Sequence, residues 1–308
     1  MVEKKKQIIF IVGPTAVGKS EVALFLAKKI KGCIISCDSM QVYKGMDILT
    51  SKLPPAERKN IKHYLIGTIA SGREYNVSQY RKSALRCIKE ITAKQEVPIF
   101  TGGTGLYLSA LVNGLFEAKA QDTQIRKRLY CQAQDKGSNF IYEKLKIVDP
   151  LAASKIHPND LKRIIRALEV YEATGKPISE LQSKRKGLAD SYDVRMFCLD
   201  MPRDLLYERI NQRVENMFEK GLVKEVKDLT GKRLSLTASV AIGIKEVKGY
   251  LDGQYSLSQA KELMQRNSRH YAKRQLTWFR KDKRIKWIKI KKGDKPKGIA
   301  DKIWKELS

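Results

Sequence analysis

The chain has 308 residues, of which 42% are apolar and 31% are charged, which suits one large or two modest globular domains. This composition excludes a disordered or fibrous chain. Lys and Arg together number 61 against 33 Asp and Glu, which leaves a net charge of +28. Such an excess must face solvent or a polyanion, and nucleic acid is the first partner that it indicates.

The sequence offers no membrane anchor. No apolar run approaches the roughly 18 residues that a membrane-spanning helix requires. Lys4–Lys6 and the apolar segment Ile8–Val12 imitate a secretory signal, but the apolar part ends at Gly13-Pro14, short of the roughly 7 to 15 residues needed. We therefore expect a cytoplasmic protein with no membrane partner.

Cysteine and histidine patterns argue against zinc and disulfide chemistry. The five cysteines are scattered, without the spacing of a disulfide framework or a four-thiolate zinc site. The three histidines, His63, His157 and His270, are not paired at metal-ligand spacing. We expect reduced thiols, and a zinc hydrolase or zinc deaminase is disfavoured.

Strands and helices alternate in the first part of the chain. Ile8–Val12 is a short apolar run closed by a glycine-rich turn, which predicts a strand buried on both faces. The helix that follows, Glu21–Ile30, places apolar residues at steps of four. Further strands are predicted at Ile34–Cys37, Val97–Thr101 and Val194–Leu199, and further helices at Val77–Thr92 and after Pro202. This rhythm predicts an α/β fold, a P-loop NTPase-like parallel sheet flanked by helices.

The strand signal disappears near residue 117 and returns at Val194. Polar helical segments fill the interval, and one of them has an apolar face made of Leu161, Ile164, Ile165, Leu168 and Tyr171. We therefore predict an inserted all-helical domain at 117–189 within an α/β core formed by 1–116 and 190–308. Residues 261–292 carry 13 Lys or Arg against two acidic residues, so the core is predicted to end in basic helices.

Residues 13–20 read Gly-Pro-Thr-Ala-Val-Gly-Lys-Ser, the P-loop pattern between a strand and a helix. In such a loop, backbone N–H groups and the helix N-terminus surround phosphate oxygens. Lys19 would place a cation on the terminal phosphate, and Ser20 would ligate Mg²⁺. All eight residues are predicted to bind a diphosphate or triphosphate: Gly13, Pro14, Thr15, Ala16, Val17, Gly18, Lys19 and Ser20.

Two carboxylates follow predicted strands. Asp38 and Asp200 could each point at the phosphate from the carboxyl edge of the sheet. Asp200 has an equal second interpretation, as a cap for the helix that starts near Pro202. Asp38 is favoured as a base, because the following Ser39-Met40-Gln41 brings a hydroxyl and an amide to the same crevice.

Taken together, these motifs resemble the tRNA dimethylallyltransferases, also called isopentenyl-diphosphate:tRNA transferases, nearly from end to end. Departures occur at Leu49, Leu53, Gly67 and Ile244, where the family usually has Gly, Pro, Asp and Tyr, and none touches the predicted base or phosphate loop. The resemblance is carried, in order, by Gly13–Ser20, Ile35–Ile48, Gly102–Tyr107, Lys162–Tyr171, Arg209–Val214, Ile242–Glu246 and Ala272–Trp278.

The resemblance implies transfer of a dimethylallyl group from dimethylallyl diphosphate to N6 of the adenine at position 37 of tRNA, next to the anticodon. It implies that Asp38 is the general base, that Thr15 helps to hold the diphosphate, and that Arg213 stabilises its growing charge. Mg²⁺ would be the cofactor, held through Ser20. The implied partner is the anticodon stem-loop, and we expect a monomer.

The target adenine must leave its stack to react. The resemblance implies that Asp38, Ser39, Met40 and Gln41 read its edge and that Thr104 lines the channel beside it. The inserted helices would clasp the stem-loop. The implied tRNA contacts elsewhere are Lys162, Arg163, Ile164, Ile165, Arg166, Lys245, His270, Lys273 and Arg274.

Two other functions stay open from the sequence. A P-loop kinase would use Asp38 as a base toward a small hydroxyl acceptor and ATP as donor, although it would not require the +28 charge. A nucleic-acid-binding protein with a degenerate phosphate loop would bind RNA without turnover, although Lys19, Ser20 and Asp38 are intact. A GTPase is disfavoured, because the sequence contains no Asn-Lys-x-Asp segment.

Overall fold

The computed structural model describes residues 5–116 and 122–307. Its strands are β1 Gln7–Val12, β2 Gly32–Ser36, β3 His63–Tyr64, β4 Val97–Gly102, β5 Asp193–Asp200 and β6 Lys286–Lys289. The first helices are α1 Lys19–Lys29, the 3₁₀ helix Pro55–Arg58, α2 Val77–Ala93 and α3 Gly105–Val112. The helices of the insertion are α4 Thr123–Lys136, α5 Ser138–Val148, α6 Pro150–Ala153, α7 Leu161–Thr174, α8 Ile178–Ser183 and α9 Leu188–Ser191. The last helices are α10 Arg203–Glu219, α11 Leu222–Thr230, α12 Leu236–Ser239, α13 Ile244–Leu251, α14 Leu257–Phe279 and α15 Pro296–Lys305.

Six strands form one parallel sheet in the order β3-β2-β4-β1-β5-β6. The predicted P-loop-type α/β fold is therefore confirmed. The central strand β1 pairs with β4 as far as Val12 opposite Gly102, and with β5 as far as Val12 opposite Cys198. Since all strands are parallel, the loops that leave β1, β2 and β4 emerge at one edge of the sheet.

The central strands are hydrophobic because helices cover both faces of the sheet. Ile8 to Ile11 are fully buried, and Phe10 stacks on Phe100 of β4 with ring centroids 4.6 Å apart. Helix α1 buries Val22, Leu26 and their neighbours in the same core. Its last turn carries Lys28 and Lys29, which complement the negative end of the helix dipole.

The described chain separates into two compact units. One contains residues 5–112 and 191–307, with the whole sheet; the other contains the helices of residues 113–116 and 122–190. The helical unit begins at residue 113, and Phe116 packs against its core. Residues 117–121 lie outside the described part of the chain.

Two strands of the sheet were not predicted. Strand β3 has only two residues, and β6 lies inside the basic segment that we expected to be helical throughout. Only Ile288 of β6 is buried, and Lys286 and Lys289 are exposed, so the edge strand lacks an apolar run. Helix α14 covers residues 261–279 of the basic segment 261–292. Among the described helices, none is both long enough and apolar enough to cross a membrane.

Substitution of Gly102, the last residue of β4, tests how closely this strand end approaches the backbone that follows β2. A Cβ at Gly102 would lie 2.1 Å from the carbonyl oxygen of Cys37, a distance that only backbone movement can relieve. We expect Gly102→Ala to lower the free energy of unfolding by about 2 kcal/mol or more, measured by chemical denaturation. The matched Gly298→Ala, where nothing lies within 4 Å, is expected to be neutral or stabilising by up to about 1 kcal/mol; equal losses in both would contradict the interpretation.

Candidate active site

The phosphate loop occupies the turn between β1 and α1, as predicted. Gly13, Ala16 and Gly18 have φ values of 144°, 63° and 94°, which turn successive peptide groups toward a common concavity. Gly18 is the N-cap of α1, so the loop runs directly into the positive end of the helix dipole. The backbone therefore forms a curved loop at the N-terminus of α1, where the sequence predicts a diphosphate site.

Lys19 places its ammonium group beside this loop, in surroundings that disfavour the charged form of the side chain. Its Nζ donates a hydrogen bond to the carbonyl of Pro14 at 2.6 Å. Burial and then the nearby positive charge of Arg213 lower the pKa of Lys19 from 10.5 to about 8, while Asp38 partly offsets the shift. Because two cations are held together here, a bound polyanion would relieve their repulsion.

Arg213, on helix α10, completes the anion side of the site. Its Nη1 donates to the Thr15 hydroxyl at 2.7 Å, and its Nε donates to the Ser51 hydroxyl at 2.8 Å. Burial lowers the pKa of Arg213, and the Asp38 carboxylate acts in the opposite direction. The guanidinium is thus oriented by two hydroxyls beside the phosphate loop, so Thr15 and Arg213 lie together as predicted.

Asp38 lies in the loop that follows β2. Its Oδ1 accepts hydrogen bonds from the backbone N–H groups of Met40 at 2.8 Å and Gln41 at 3.3 Å. These bonds form an Asx-type turn and fix the carboxyl group in place. The side chain lines the cavity that also contains Lys19 and Arg213, so the predicted base faces the predicted anion site.

A third loop, the glycine-rich turn after β4, contacts the Asp38 loop. The Thr104 hydroxyl accepts from the backbone N–H of Ser39 at 3.0 Å and approaches the Ser39 hydroxyl at 3.4 Å. It also interacts with the phenol of Tyr271 on α14, whose pKa is raised by burial and by the charge of Asp38. Ser39 and Thr104 thus form one hydrogen-bonded pair beside the predicted base, and the phenol of Tyr271 lies close to them.

Two adjoining cavities are formed around these groups. The larger, of about 820 Å³, is polar and contains Lys19, Ser20, Asp38 and Arg213 among its lining residues. The smaller, of about 290 Å³, shares six lining residues with it, Thr15, Asp38, Thr50, Arg213, Met217 and Tyr271. Most of the remaining walls of the smaller cavity are apolar, and they include Leu49, Ile210, Val214, Ala241, Ile242 and Met264. Asp38 therefore lines both the polar cavity that contains the predicted diphosphate site and the more apolar cavity beside it.

Asp200 performs neither role that the sequence suggested. Pro202 is the N-cap of α10, and no side chain caps that helix through a hydrogen bond. The residues that line the two cavities do not include Asp200. Its backbone carbonyl instead accepts from the N–H of Ile290 at 2.7 Å, which extends the pairing between β5 and β6.

Some predicted tRNA contacts are corrected by the structure. Ile164 and Ile165 lie in the core of the helical unit, with exposures of 0% and 1%, so their side chains support α7 and do not face a ligand. Lys162 and Arg163 are exposed on α7. Arg166 donates to the buried carboxylate of Glu169 at 2.8 Å, so part of its hydrogen-bonding capacity is used inside this unit.

In the unit that contains the sheet, some side chains predicted to contact tRNA are exposed, whereas that of Gln41 is hydrogen-bonded within the protein. Lys245, on α13, and His270, Lys273 and Arg274, on α14, are exposed. In contrast, the Gln41 amide accepts from the Ser36 hydroxyl at 2.9 Å and donates to the carbonyl of Thr50 at 3.2 Å. Gln41 therefore has protein partners at both amide atoms, and its reading of a base stays a prediction.

Sequence reasoning missed two residues that hold the site loops. The Glu225 carboxylate accepts from the N–H groups of Asp47, Ile48 and Leu49 at 2.8 to 2.9 Å, and so shapes the segment that presents Ser51 to Arg213. Gln275 accepts from the Thr15 N–H at 2.9 Å and donates to the Gly103 carbonyl at 3.0 Å. Both act over 170 or more residues of chain; Gln275 lies within the matched segment Ala272–Trp278, but that segment does not show which loops its amide joins.

Comparison with known proteins gives a consistent family. Residues 41–282 match the family model described as IPP transferase. A tRNA dimethylallyltransferase of Carboxydothermus hydrogenoformans is 48% identical over 98% of this chain and 96% of its own. One of Geobacter sulfurreducens is 46% identical, with 92% of each chain covered.

Solved structures agree with the sequence relatives. The tRNA isopentenylpyrophosphate transferase of Bacillus halodurans is 38% identical, with a TM-score of 0.71 and coverage of 99% of this chain and 97% of its own. A eukaryotic dimethylallyltransferase acting on tRNA is 31% identical, with a TM-score of 0.78 and coverage of 92% and 74%. The matches span both the sheet-containing unit and the helical unit, and this chain belongs to the IPP transferase family, the enzymes named tRNA dimethylallyltransferases.

Proposed function

We propose that the protein transfers a dimethylallyl group from dimethylallyl diphosphate to N6 of the adenine at position 37 of tRNA. The observation that carries this proposal is that one carboxylate, Asp38, lines both the cavity that contains Lys19 and Ser20 of the phosphate loop and a more apolar cavity. The reaction needs these three features together: a site for an anionic leaving group, a compartment for an apolar substrate part, and a base.

The leaving group would lie on the phosphate loop. As the carbon–oxygen bond to the diphosphate breaks, its electron pair leaves with the oxygen, and negative charge grows there. Lys19 and Arg213 would stabilise that charge, together with the N–H groups of the loop. Arg213 is already oriented by Thr15 and Ser51, so little reorganisation is required as the charge develops.

The base would be Asp38. The adenine N6 forms the new bond to carbon and becomes positively charged until it loses a proton. Oδ1 of Asp38 is held by the backbone of Met40 and Gln41, which fixes the direction of the carboxyl group. The carboxylate would accept the N6 proton, and Thr104 beside Ser39 would line the path of the nucleotide.

Mg²⁺ fits this site as a partner of the diphosphate. In the described part of the chain no cluster of three or more His, Cys, Asp or Glu side chains forms an all-protein metal site. Mg²⁺ commonly takes only one or two protein ligands and keeps waters and substrate phosphates as the others. The Ser20 hydroxyl, exposed in the larger cavity, would hold the ion, whose charge would assist departure of the diphosphate.

The tRNA would bind through exposed cations on both units. Helix α14 presents His270, Lys273 and Arg274, and α13 presents Lys245. In the helical unit, Lys162 and Arg163 are exposed on α7. Contacts between these cations and phosphates of the anticodon stem-loop would account for the large positive net charge of +28.

The proposal is tested by incubating the protein with unmodified tRNA, Mg²⁺ and labelled dimethylallyl diphosphate, followed by mass analysis of the nucleosides. Label on N6 of adenosine 37 is expected. Label on another nucleoside would contradict the proposed acceptor. ATP consumption with a small hydroxyl acceptor, in place of prenyl transfer, would support a kinase, and RNA binding without either reaction would support a binding protein.

Asp38→Asn is expected to lower kcat by about two to four orders of magnitude, because the amide keeps the Oδ1 acceptor of the turn but cannot take the N6 proton. The measurement is single-turnover prenyl transfer at saturating donor and tRNA. Asp200→Asn is the matched control, since Asp200 also ends a strand but lies outside both cavities, and its kcat should change less than about threefold. Retained turnover in Asp38→Asn would remove Asp38 from the reaction.

Replacing both Lys273 and Arg274 with Ala is expected to weaken tRNA binding and to flatten its salt dependence. Loss of two phosphate contacts reduces the slope of log K against log salt by about 1.5 to 2. The matched control is Lys291→Ala with Lys292→Ala, which removes the same charge from the exposed loop after β6. Filter binding or anisotropy at several salt concentrations measures the slope, and equal slopes in the two double variants would show a general charge effect.

A further inference from the structure

Gln275, near the C-terminal end of α14, connects two loops of the candidate active site. The residue is 5% exposed. Its Oε1 accepts from the backbone N–H of Thr15 at 2.9 Å, and its Nε2 donates to the carbonyl oxygen of Gly103 at 3.0 Å. One amide group therefore joins the phosphate loop after β1 to the glycine-rich turn after β4.

This connection begins where the sheet ends. Strands β1 and β4 are paired as far as Val12 opposite Gly102, and the phosphate loop and the glycine-rich turn begin there. Beyond that point the ladder no longer sets the distance between the two backbones. A primary amide can donate at one atom and accept at the other, so the Gln275 side chain bonds to a backbone N–H of one loop and a carbonyl of the other.

The inner face of α14 is fitted closely to the glycine-rich turn. A Cβ at Gly103 would lie 1.9 Å from Nε2 of Gln275, and a Cβ at Gly105 would lie 2.1 Å from the ring of Trp278. Tyr271, one turn earlier, interacts with Thr104. Tyr271, Gln275 and Trp278 have the spacing of one helical face, so three successive residues of the turn are each matched by a residue of α14.

Thr15 links Gln275 to Arg213, one of the groups proposed to stabilise the diphosphate. Gln275 holds the Thr15 N–H, while the Thr15 hydroxyl accepts from Arg213 at 2.7 Å. On the other side, Thr104 accepts from the N–H of Ser39, next to Asp38. Gln275 thus lies between the groups proposed to hold the leaving diphosphate and the loop proposed to guide the nucleotide.

We propose that Gln275 is a positioning residue for prenyl transfer: it sets the distance between the phosphate loop at Thr15 and the glycine-rich turn at Gly103, and thereby aligns the diphosphate with the incoming nucleotide. This inference rests on the proposed function. It assigns Gln275 no contact with reacting atoms. Since α14 also carries the exposed Lys273 and Arg274, one helix supports both the alignment of the donor site and a surface for tRNA.

Two substitutions separate this role from simple packing. Gln275→Met keeps the length of the side chain and removes both hydrogen bonds. Gln275→Glu keeps the acceptor for Thr15, but its ionised form opposes the Gly103 carbonyl with negative charge, whereas its protonated form can donate to that carbonyl. The matched control is Gln265→Met on the same helix, where the amide bonds to Glu215 at 2.9 Å, away from the loops of the site.

The first measurement is steady-state prenyl transfer by the folded variants, with circular dichroism as the check on folding. Gln275→Met is expected to lower kcat by about tenfold to a hundredfold, the effect of a misplacement near 1 Å, while the KM for tRNA changes less than about threefold. Gln265→Met should leave both constants within about threefold of the parent. In Gln275→Glu, the ratio of its kcat to the parental kcat should rise as the pH is lowered, because protonation restores the donor.

The second measurement does not depend on prenyl transfer. Inorganic diphosphate with Mg²⁺ should raise the unfolding temperature of the parent and of Gln265→Met, and should raise it less in Gln275→Met. Parental kcat in folded Gln275→Met, or a kcat ratio for Gln275→Glu that is flat with pH, would overturn the inference. If the parent binds diphosphate but transfers no prenyl group, the proposed function fails, and an unchanged diphosphate response in Gln275→Met would then reject the positioning role separately.

Discussion

The common edge at which β1, β2 and β4 end is the constraint on which the rest of the site depends. These strands are parallel and adjacent in the order β2-β4-β1, so the loops after them emerge side by side. The first loop contributes Thr15 and Lys19, the second Asp38, and the third Thr104. Since sheet pairing fixes the three starting points, each loop needs only a few hydrogen bonds to place its functional group.

Electrostatics at this edge are arranged for a ligand with several negative charges. Lys19 and Arg213 lie close enough that the charge of Arg213 contributes to lowering the pKa of Lys19. Holding both cations together costs free energy in the protein alone, and a diphosphate would recover part of that cost on binding. Asp38 offsets some of the repulsion, so the proposed base also contributes to the charge balance of the anion site.

Local sequence patterns predicted the central part of the fold well. The strands β1, β2, β4 and β5 are apolar runs that end near glycine or a polar residue, and the phosphate loop follows directly from its motif and its flanking elements. The pattern failed where burial is partial: β3 is too short and β6 too basic to give a strand signal. Ile164 and Ile165 show the opposite error, because a matched motif led us to expect contacts from side chains that form the core of a helix.

Residues that position the site were the hardest to predict, because their partners are distant in sequence. Gln275 and Glu225 lie in helices whose local periodicity gives no reason to single them out, and both bond to backbone groups of loops more than 170 residues away. The net charge likewise does not identify which individual cations are free to contact a ligand. Arg166 belongs to the basic pattern that indicates RNA, yet it bonds to the buried Glu169, which also accepts from Arg126. A surplus of cations therefore indicates the class of partner, whereas the hydrogen bonds inside the protein decide which of those cations remain to meet it.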